Sequence, residues 1–349
     1  MNESCTIVLH TKNRHEMLHR QILYLSDHFC ACSVVITDAS DLQVYAKNKD
    51  TIIRCAGSLR VTHLDGRNKS FPERILECLG HVFSPSVILA SDDDFIMPKW
   101  FEQATRHVSA SGVPIILTGV VLSLNQRRVF CGKLGIQNSS PNPPYRYLGA
   151  VSPSNRLKEI AKSDWATAGW YAVQPTSCLL DIANLAHKYQ LEGYTFERFL
   201  IFHQCLHCQT FFDSNVSHVR QVEASNRLLY ETTQQKYNLL PFVNACCDSL
   251  LSKELKSGED LFLLAYDAIQ HELLHLRLNH KTSLGVHYYT VKYSFRVLAL
   301  FRRFFFALFH PQFWMFDTRL PRKVKRSERV EIQKKLFKYI VKFNCASGL

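Results

Sequence analysis

Three carboxylates stand side by side at Asp92, Asp93 and Asp94, one serine after the apolar run Val87 to Ala90. Adjacent negative charges repel, and burying them uncompensated is costly, so a cation is expected here. Residues two apart on an extended segment point the same way, which pairs Asp92 with Asp94. A hard divalent ion, Mg²⁺ or Mn²⁺, takes one or two carboxylates and completes its shell with water and phosphate oxygens. Such an ion would act as a Lewis acid and neutralise a diphosphate leaving group. The competing account is a solvated acidic turn, since aspartate is a common turn residue. An EF-hand calcium loop does not fit, because its glycine and twelfth-position glutamate are missing.

The elements that must position these groups are legible from apolar periodicity. Thr6 to Thr11 is a short β-branched apolar run, a strand, and Leu18, Ile22, Leu25 and Phe29 follow at helical spacing. Ser33 to Thr37 predicts a second strand ending at Asp38, and Leu59 to Leu64 a third ending at Asp65-Gly66. A helix follows from Phe71, with Pro72 in its first turn and Ile75, Leu79 and Val82 on one face. Val87 to Ala90 is the fourth strand. This alternation specifies an α/β fold with a mostly parallel sheet between helices, in which ligands gather beyond the carboxyl ends of the strands. Asp38, Asp65 and the Asp92 to Asp94 cluster all lie at those ends and should converge on one crevice. Further on, a helix is predicted over Lys99 to Ser109, a strand over Val113 to Leu122, and a long surface connection over Cys131 to Ser154. A helix over Tyr194 to Cys208 and a closing strand over Thr210 to Arg220 complete this part, and beyond about Tyr230 the pattern is helical only.

Four segments in this order resemble the GT-A fold glycosyltransferases, most closely the bacterial family 2-like enzymes, over residues 4–225. They are TKNR (Thr11 to Arg14), VVITDAS (Val34 to Ser40), FPERIL (Phe71 to Leu76) and ILASDDDFI (Ile88 to Ile96), the last similar to the family's Asp-x-Asp signature. The resemblance implies a Rossmann-like GT-A domain over residues 1–230 that moves a hexosyl group, with inversion, from a nucleotide-diphosphate sugar to a hydroxyl of a glycan, lipid-linked precursor or protein. It implies that Thr11, Asp38, Arg74, Asp92 and Asp93 bind the nucleotide sugar, and that Asp94, Asp92 and His218 hold Mn²⁺ or Mg²⁺. The catalytic base would be Glu197 or Glu192 in LEGYTFERFL, with Glu197 favoured as the start of the apolar-periodic helix; the Glu-Asp pair of many relatives is absent. That departure leaves a catalytically inactive nucleotide-sugar-binding module as an alternative. Trp165, Trp170 and Tyr171 fall where an acceptor loop would lie, and could equally be core aromatics.

A rival chemistry is carried by His271-Glu272-Leu273-Leu274-His275, which matches the zinc metallopeptidase motif. The apolar face of that helix lies opposite the two histidines, and His280 is not at the spacing of a third ligand. Cys205 and Cys208 form a C-x-x-C without a second pair, and read as small apolar residues on a packed helix.

The formal charge of +12 belongs to the end of the chain. Residues 281–349 hold 15 basic and 3 acidic side chains, leaving the first 280 neutral. In residues 231–349, cationic stripes such as Lys292, Arg296, Arg303 and His310 run beside broad aromatic faces, which suits a helix lying on an anionic membrane surface through 291–345. The alternative is that these apolar faces pack on the catalytic domain. No nucleic-acid-binding module is recognisable, so no nucleic acid is expected. The N-terminus carries no secretory pattern and the apolar stretch Val297 to Phe316 is interrupted by Arg302, Arg303, His310 and Pro311. With twelve cysteines read as reduced thiols, the expectation is a cytoplasmic protein, peripheral on the cytoplasmic face of a membrane.

Overall fold

The computed structural model describes residues 4–30, 32–130, 133–138, 152–153, 155–156, 169–222 and 239–251, together with 331 and 336. The strands are β1 (Cys5–Thr11), β2 (Ser33–Asp38), β3 (Arg60–Asp65), β4 (Ser86–Ser91), β5 (Asp94–Ile96), β6 (Ile115–Phe130), β7 (Lys133–Asn138), β8 (Val173–Pro175) and β9 (Gln209–Val222). The helices are α1 (His15–His28), α2 (Leu42–Cys55), α3 (Phe71–Leu79), α4 (Pro98–Ala110), α5 (Thr176–Lys188), α6 (Gly193–His207) and α7 (Leu239–Leu251). All nine strands join one sheet in the order β3-β2-β1-β4-β8-β6-β9-β5, with β7 paired to β6.

The first four strands are parallel, and the reason lies in their composition. β1 sends Ile7 and Leu9 to one face and Val8 to the other, and all three are fully buried. β4 repeats this with Ile88 and Ala90 against Val87 and Leu89. Strands buried on both faces read as unbroken apolar runs, which is what makes them visible in the sequence. Leu18, Ile22 and Leu25 of α1, Ile52 of α2 and Trp100 of α4 cover the face of Ile7. Ile75 of α3, Ile182 of α5, Phe199 of α6 and Phe242 of α7 cover the other.

The second half of the sheet is mixed: β8 is antiparallel to β4 and β6, β9 is parallel to β6, and β5 is antiparallel to β9. The sequence predicts none of α2, α5 and the short β5 and β8; β6 continues to Phe130 rather than ending at Leu122, and β7 falls in the stretch from Cys131 to Ser154 read as a surface connection. α7, beyond residue 230, packs on this same body, with Asp248 bonded by Lys188 Nζ and Tyr189 Oη at 2.6 Å each. Leu336 is likewise fully buried, in the core on the α1 side. The His271 to His275 motif, Trp165 and the cationic stripe from Lys292 to His310 lie outside the described residues. Among the described residues no helix is long and apolar enough to cross a membrane.

Candidate functional site

Register brings the acidic positions to one end of the sheet, as the sequence predicts. Thr11 stands level with Asp38, Asp38 with Asp65, and His10 with Ser91, one residue before the triplet. Beyond these ends opens a cleft of about 560 Å³ whose charged lining includes Lys12, Asp65, Arg67, Lys69, Arg74 and Glu192. The side chains of Asp38 and the triplet are not part of that lining.

Asp92 and Asp93 form the tight turn between β4 and β5, and Asp94 opens β5. The turn breaks the alternation that would have aimed Asp92 and Asp94 together, and Asp92 pairs with Asp93 instead. Their common partner is Arg14, just past β1. Its Nη2 donates to Asp93 Oδ2 at 2.8 Å, and its Nη1 lies 2.9 Å from Asp92 Oδ1 in an ion pair poorly aligned for a hydrogen bond. The Thr11 hydroxyl donates to Asp92 Oδ2 at 2.6 Å, and the Ser91 hydroxyl to Asp93 Oδ1 at 2.6 Å. Every oxygen of the two carboxylates is therefore engaged by the chain itself. Burial raises Asp92 to about 7 against the opposing pull of Arg14. Burial also pushes Asp93 up, but Arg14 and Ser91 more than offset it and hold that carboxyl below the usual range. Thr11 thus holds Asp92, and Asp92 and Asp93 are buried against Arg14, outside the lining of the cleft.

Asp38 is wholly buried. Its Oδ1 accepts the Ser40 N–H at 2.9 Å, while Oδ2 accepts from Asn48 Nδ2 at 2.8 Å and lies 3.1 Å from His63 Nε2. Burial raises its pKa, yet the bonds from His63, Ser40 and Asn48 outweigh burial and keep it low. Its main-chain oxygen accepts the Gly66 N–H at 2.9 Å. Asp38 fixes the loop after β2 and the turn after β3, both of which border the cleft.

Arg74 and Glu192 are in the cleft wall. α3 starts at an N-cap, Ser70, whose N–H donates to Glu73 Oε2 at 2.7 Å while its hydroxyl receives the Glu73 N–H at 3.4 Å, an arrangement worth about 1 kcal/mol. This start sets Arg74 one turn in, its guanidinium 5.2 Å from the Phe71 ring centre. A Cβ on Gly66 would come within 2.7 Å of Arg74 Cδ, so only glycine lets that stem lie against the turn. Arg74 Nε is shielded from solvent and has no hydrogen-bond partner among the described residues. Burial lowers its pKa, and the Glu192 charge opposes that.

α6 begins at Gly193, one residue earlier than its apolar period suggests, and the two glutamates differ in their access to the cleft. Glu192 stands immediately before the helix, its N–H donating to the Thr195 hydroxyl at 3.2 Å and its main-chain oxygen accepting from that hydroxyl at 2.8 Å. Glu192 lines the cleft, and its charge acts on Arg74. Glu197 lies within the helix, half-buried, and does not line the cleft.

His218 is fully buried on β9, with Trp100 and Tyr171 rings at 5.5 and 4.8 Å, and burial lowers it to about 3. Neither ring nitrogen has a hydrogen-bond partner among the described residues. It lies level with Ile96, so it shares a sheet face with Asp94, two residues back along β5. Among the described residues, however, no group of three His, Cys, Asp or Glu side chains is gathered as a metal cage. Asp92 is paired with Arg14, while Asp94 and His218 share one face of the sheet. Trp170 stacks on Phe71 at 5.7 Å and meets Phe196 edge-on at 6.0 Å, and Tyr171 is buried, so both pack as core aromatics. Cys205 and Cys208 are buried too, as the sequence predicts.

Sequence reasoning missed Arg14 as the counter-ion, and Asn48 and His63 as the supports of Asp38.

No family model matches the sequence, and no curated protein matches it. Among solved structures, residues 1–349 of S. aureus TarS superpose with a TM-score of 0.50 at 10% identity, over 79% of this chain and 73% of that one. The same segment of S. aureus TarS in complex with UDP-GlcNAc gives a TM-score of 0.51 at 10% identity, over 81% and 75%. A likeness at this identity is one of fold, and the fold is GT-A.

Proposed function

We propose that the chain transfers a sugar from a nucleoside-diphosphate sugar to an acceptor hydroxyl. The observation that carries this is the composition of the cleft: four cationic side chains, Lys12, Arg67, Lys69 and Arg74, around a space at the carboxyl ends of parallel strands, with Glu192 beside Arg74. The structural likeness to a protein that binds UDP-GlcNAc supports the same donor class.

The acceptor oxygen attacks the anomeric carbon while the bond to the diphosphate oxygen breaks, and the acceptor proton passes to the Glu192 carboxylate. Attack from the face opposite the leaving group inverts the anomeric configuration. Negative charge developing on the diphosphate is met by the cleft cations, Arg74 foremost because its Nε is buried without another bond. No step is routed through a metal ion. The acceptor is a glycan, a lipid-linked precursor or a protein, and the transferred group a hexosyl unit. Residues 1–230 supply the catalytic domain. Residues 231–349 add the basic region, which through 291–345 docks on the anionic cytoplasmic face of a membrane at about 1 kcal/mol per basic residue near the lipid.

Calorimetry with UDP-, GDP- and dTDP-sugars, with and without Mn²⁺, tests the donor class. One of these nucleotides should bind, and Arg74→Met should weaken it about tenfold, the loss of one charge-assisted bond. Absence of binding by every nucleotide sugar would sink the proposal. Binding with neither transfer nor donor hydrolysis would leave a nucleotide-sugar-binding module in its place.

A further inference from the structure

We propose that Arg14 is the resident cation of the Asp92–Asp93 pair, a positioning residue that keeps divalent ions off these carboxylates and holds the loop bearing Lys12 at the cleft. The second half rests on the donor-binding function proposed above; the first does not.

The guanidinium is used as a fork, Nη1 toward Asp92 and Nη2 toward Asp93. A planar fork spans two carboxylates as a point charge cannot. A second guanidinium, Arg20, is buried on α1 with its centre 4.8 Å from the Phe95 ring, and its charge also favours the ionised form of both carboxylates. Arg14, held between Asp92 and Asp93, offsets one of that pair's two charges, so a dication meets a weaker attraction there than two free carboxylates would give. Hard ions also shed water reluctantly, and the remaining oxygens of the pair are already occupied by the Thr11 and Ser91 hydroxyls. An incoming ion would have to displace a charge-assisted pair and two hydroxyl bonds together.

The same contacts define the loop. Thr11 and Arg14 tie its two ends to the turn after β4. Between them Asn13 adopts a left-handed backbone, φ 54°, and is fastened to the end of β2. Its N–H donates to Ser40 Oγ at 2.7 Å, and its Oδ1 accepts the Asp41 N–H at 2.8 Å. Lys12, held between these anchors, is the loop residue that lines the cleft.

Mn²⁺ alone, titrated into the full chain without nucleotide and followed by the paramagnetic resonance of the free ion, tests the first half. Arg14→Gln should raise Mn²⁺ affinity at least tenfold, Asp93→Asn in that background should remove the gain, and Arg14→Lys, which keeps the charge, should show none. Equal affinities in the parent and Arg14→Gln overturn it. Should Arg14→Gln fail to fold, the parent decides: a Mn²⁺ site that Asp93→Asn abolishes refutes the inference, and Mn²⁺ binding untouched by Asp93→Asn supports it. For the second half, UDP affinity should fall about tenfold in both Arg14→Gln and Lys12→Ala; a loss in Lys12→Ala alone refutes it. If no nucleotide binds even the parent chain, the donor reading fails and the Mn²⁺ result still stands.

Discussion

Two sets of carboxylates lie at the same end of the same sheet and have opposite fates. Asp92 and Asp93 are 1% and 5% exposed, and every oxygen is taken by Arg14, Thr11 or Ser91. Asp65 and Glu192 border open space: the Asp65 oxygens accept from Arg67 with 43% of the side chain exposed, and Glu192 stands in the cleft wall at the start of α6. Residue type and position along the chain are nearly equivalent in the two sets. What separates them is which donors reach the oxygens first: a two-residue turn places Asp92 and Asp93 under the Arg14 fork, whereas the gap between α3 and α6 leaves Glu192 facing Arg74. The buried Asp92–Asp93 pair is clamped by the chain's own donors, whereas Glu192 is the carboxylate in the cleft wall for which proton transfer is proposed.

Removing the available group should have the largest effect. Glu192→Gln preserves shape and the backbone bonds of Thr195 while abolishing basicity, so turnover should fall about 10³-fold with an unchanged melting temperature. Glu197→Gln, inside α6, should lose less than about tenfold. The comparison breaks if the two variants exchange places in a single-turnover assay.

The clamp predicts the reverse balance. Asp93→Ala leaves half of the Arg14 fork and the Ser91 hydroxyl without their acceptor, and should cost about 3 kcal/mol in urea unfolding. Asp65→Ala removes an exposed pair with Arg67, whose Nη2 lies 2.5 Å from Asp65 Oδ2, and should cost under about 1 kcal/mol. Comparable losses from the two would mean that the buried pair is not the stronger anchor.

The sequence displays the parts of this arrangement that depend on burial of both strand faces. β1 to β4 and the acidic residues at their ends are legible because nothing but an apolar run can occupy the middle of such a sheet. α2 is not legible, for a physical reason: it leaves Leu42 and Ile53 exposed and puts polar Asn48 and Thr51 beside Ile52 on its buried face, so its apolar period is interrupted. Asn48 is inside because it serves Asp38, a contact between separate elements that no local pattern announces. α5 carries an ordinary helical period in Cys178, Leu179, Ile182, Ala183 and Ala186, whereas β5 and β8 at three residues each are too short to show any. Arg14 sits in a segment marked by its resemblance to TKNR loops, but its pairing needs the turn at Asp92, which three equal residues in a row conceal.

The smallest effect concerns charge states set by the same surroundings. His10, level with Ser91, is met edge-on by Phe71 and Trp170 at 5.5 and 5.6 Å. Burial, with the nearby Arg74 charge, lowers its pKa from 6.5 to about 4. Between those values the unfolded chain takes up a proton that the folded chain refuses, so the stability His10 contributes is complete above pH 6.5 and drains away as pH falls toward 4. Asp38, whose pKa is lowered by its hydrogen bonds, contributes stability above its ordinary 3.8 that is lost only below that value. The two windows therefore do not overlap. His10→Phe keeps a ring between Phe71 and Trp170 and should flatten the dependence of unfolding free energy on pH from 6.5 to 4 by up to one proton, without altering the steeper loss below pH 3.8. A slope in the upper window that survives His10→Phe would assign it to other buried groups: fully buried His218, lowered to about 3, acts in the same sense, and Asp92, raised above its ordinary value, in the opposite one.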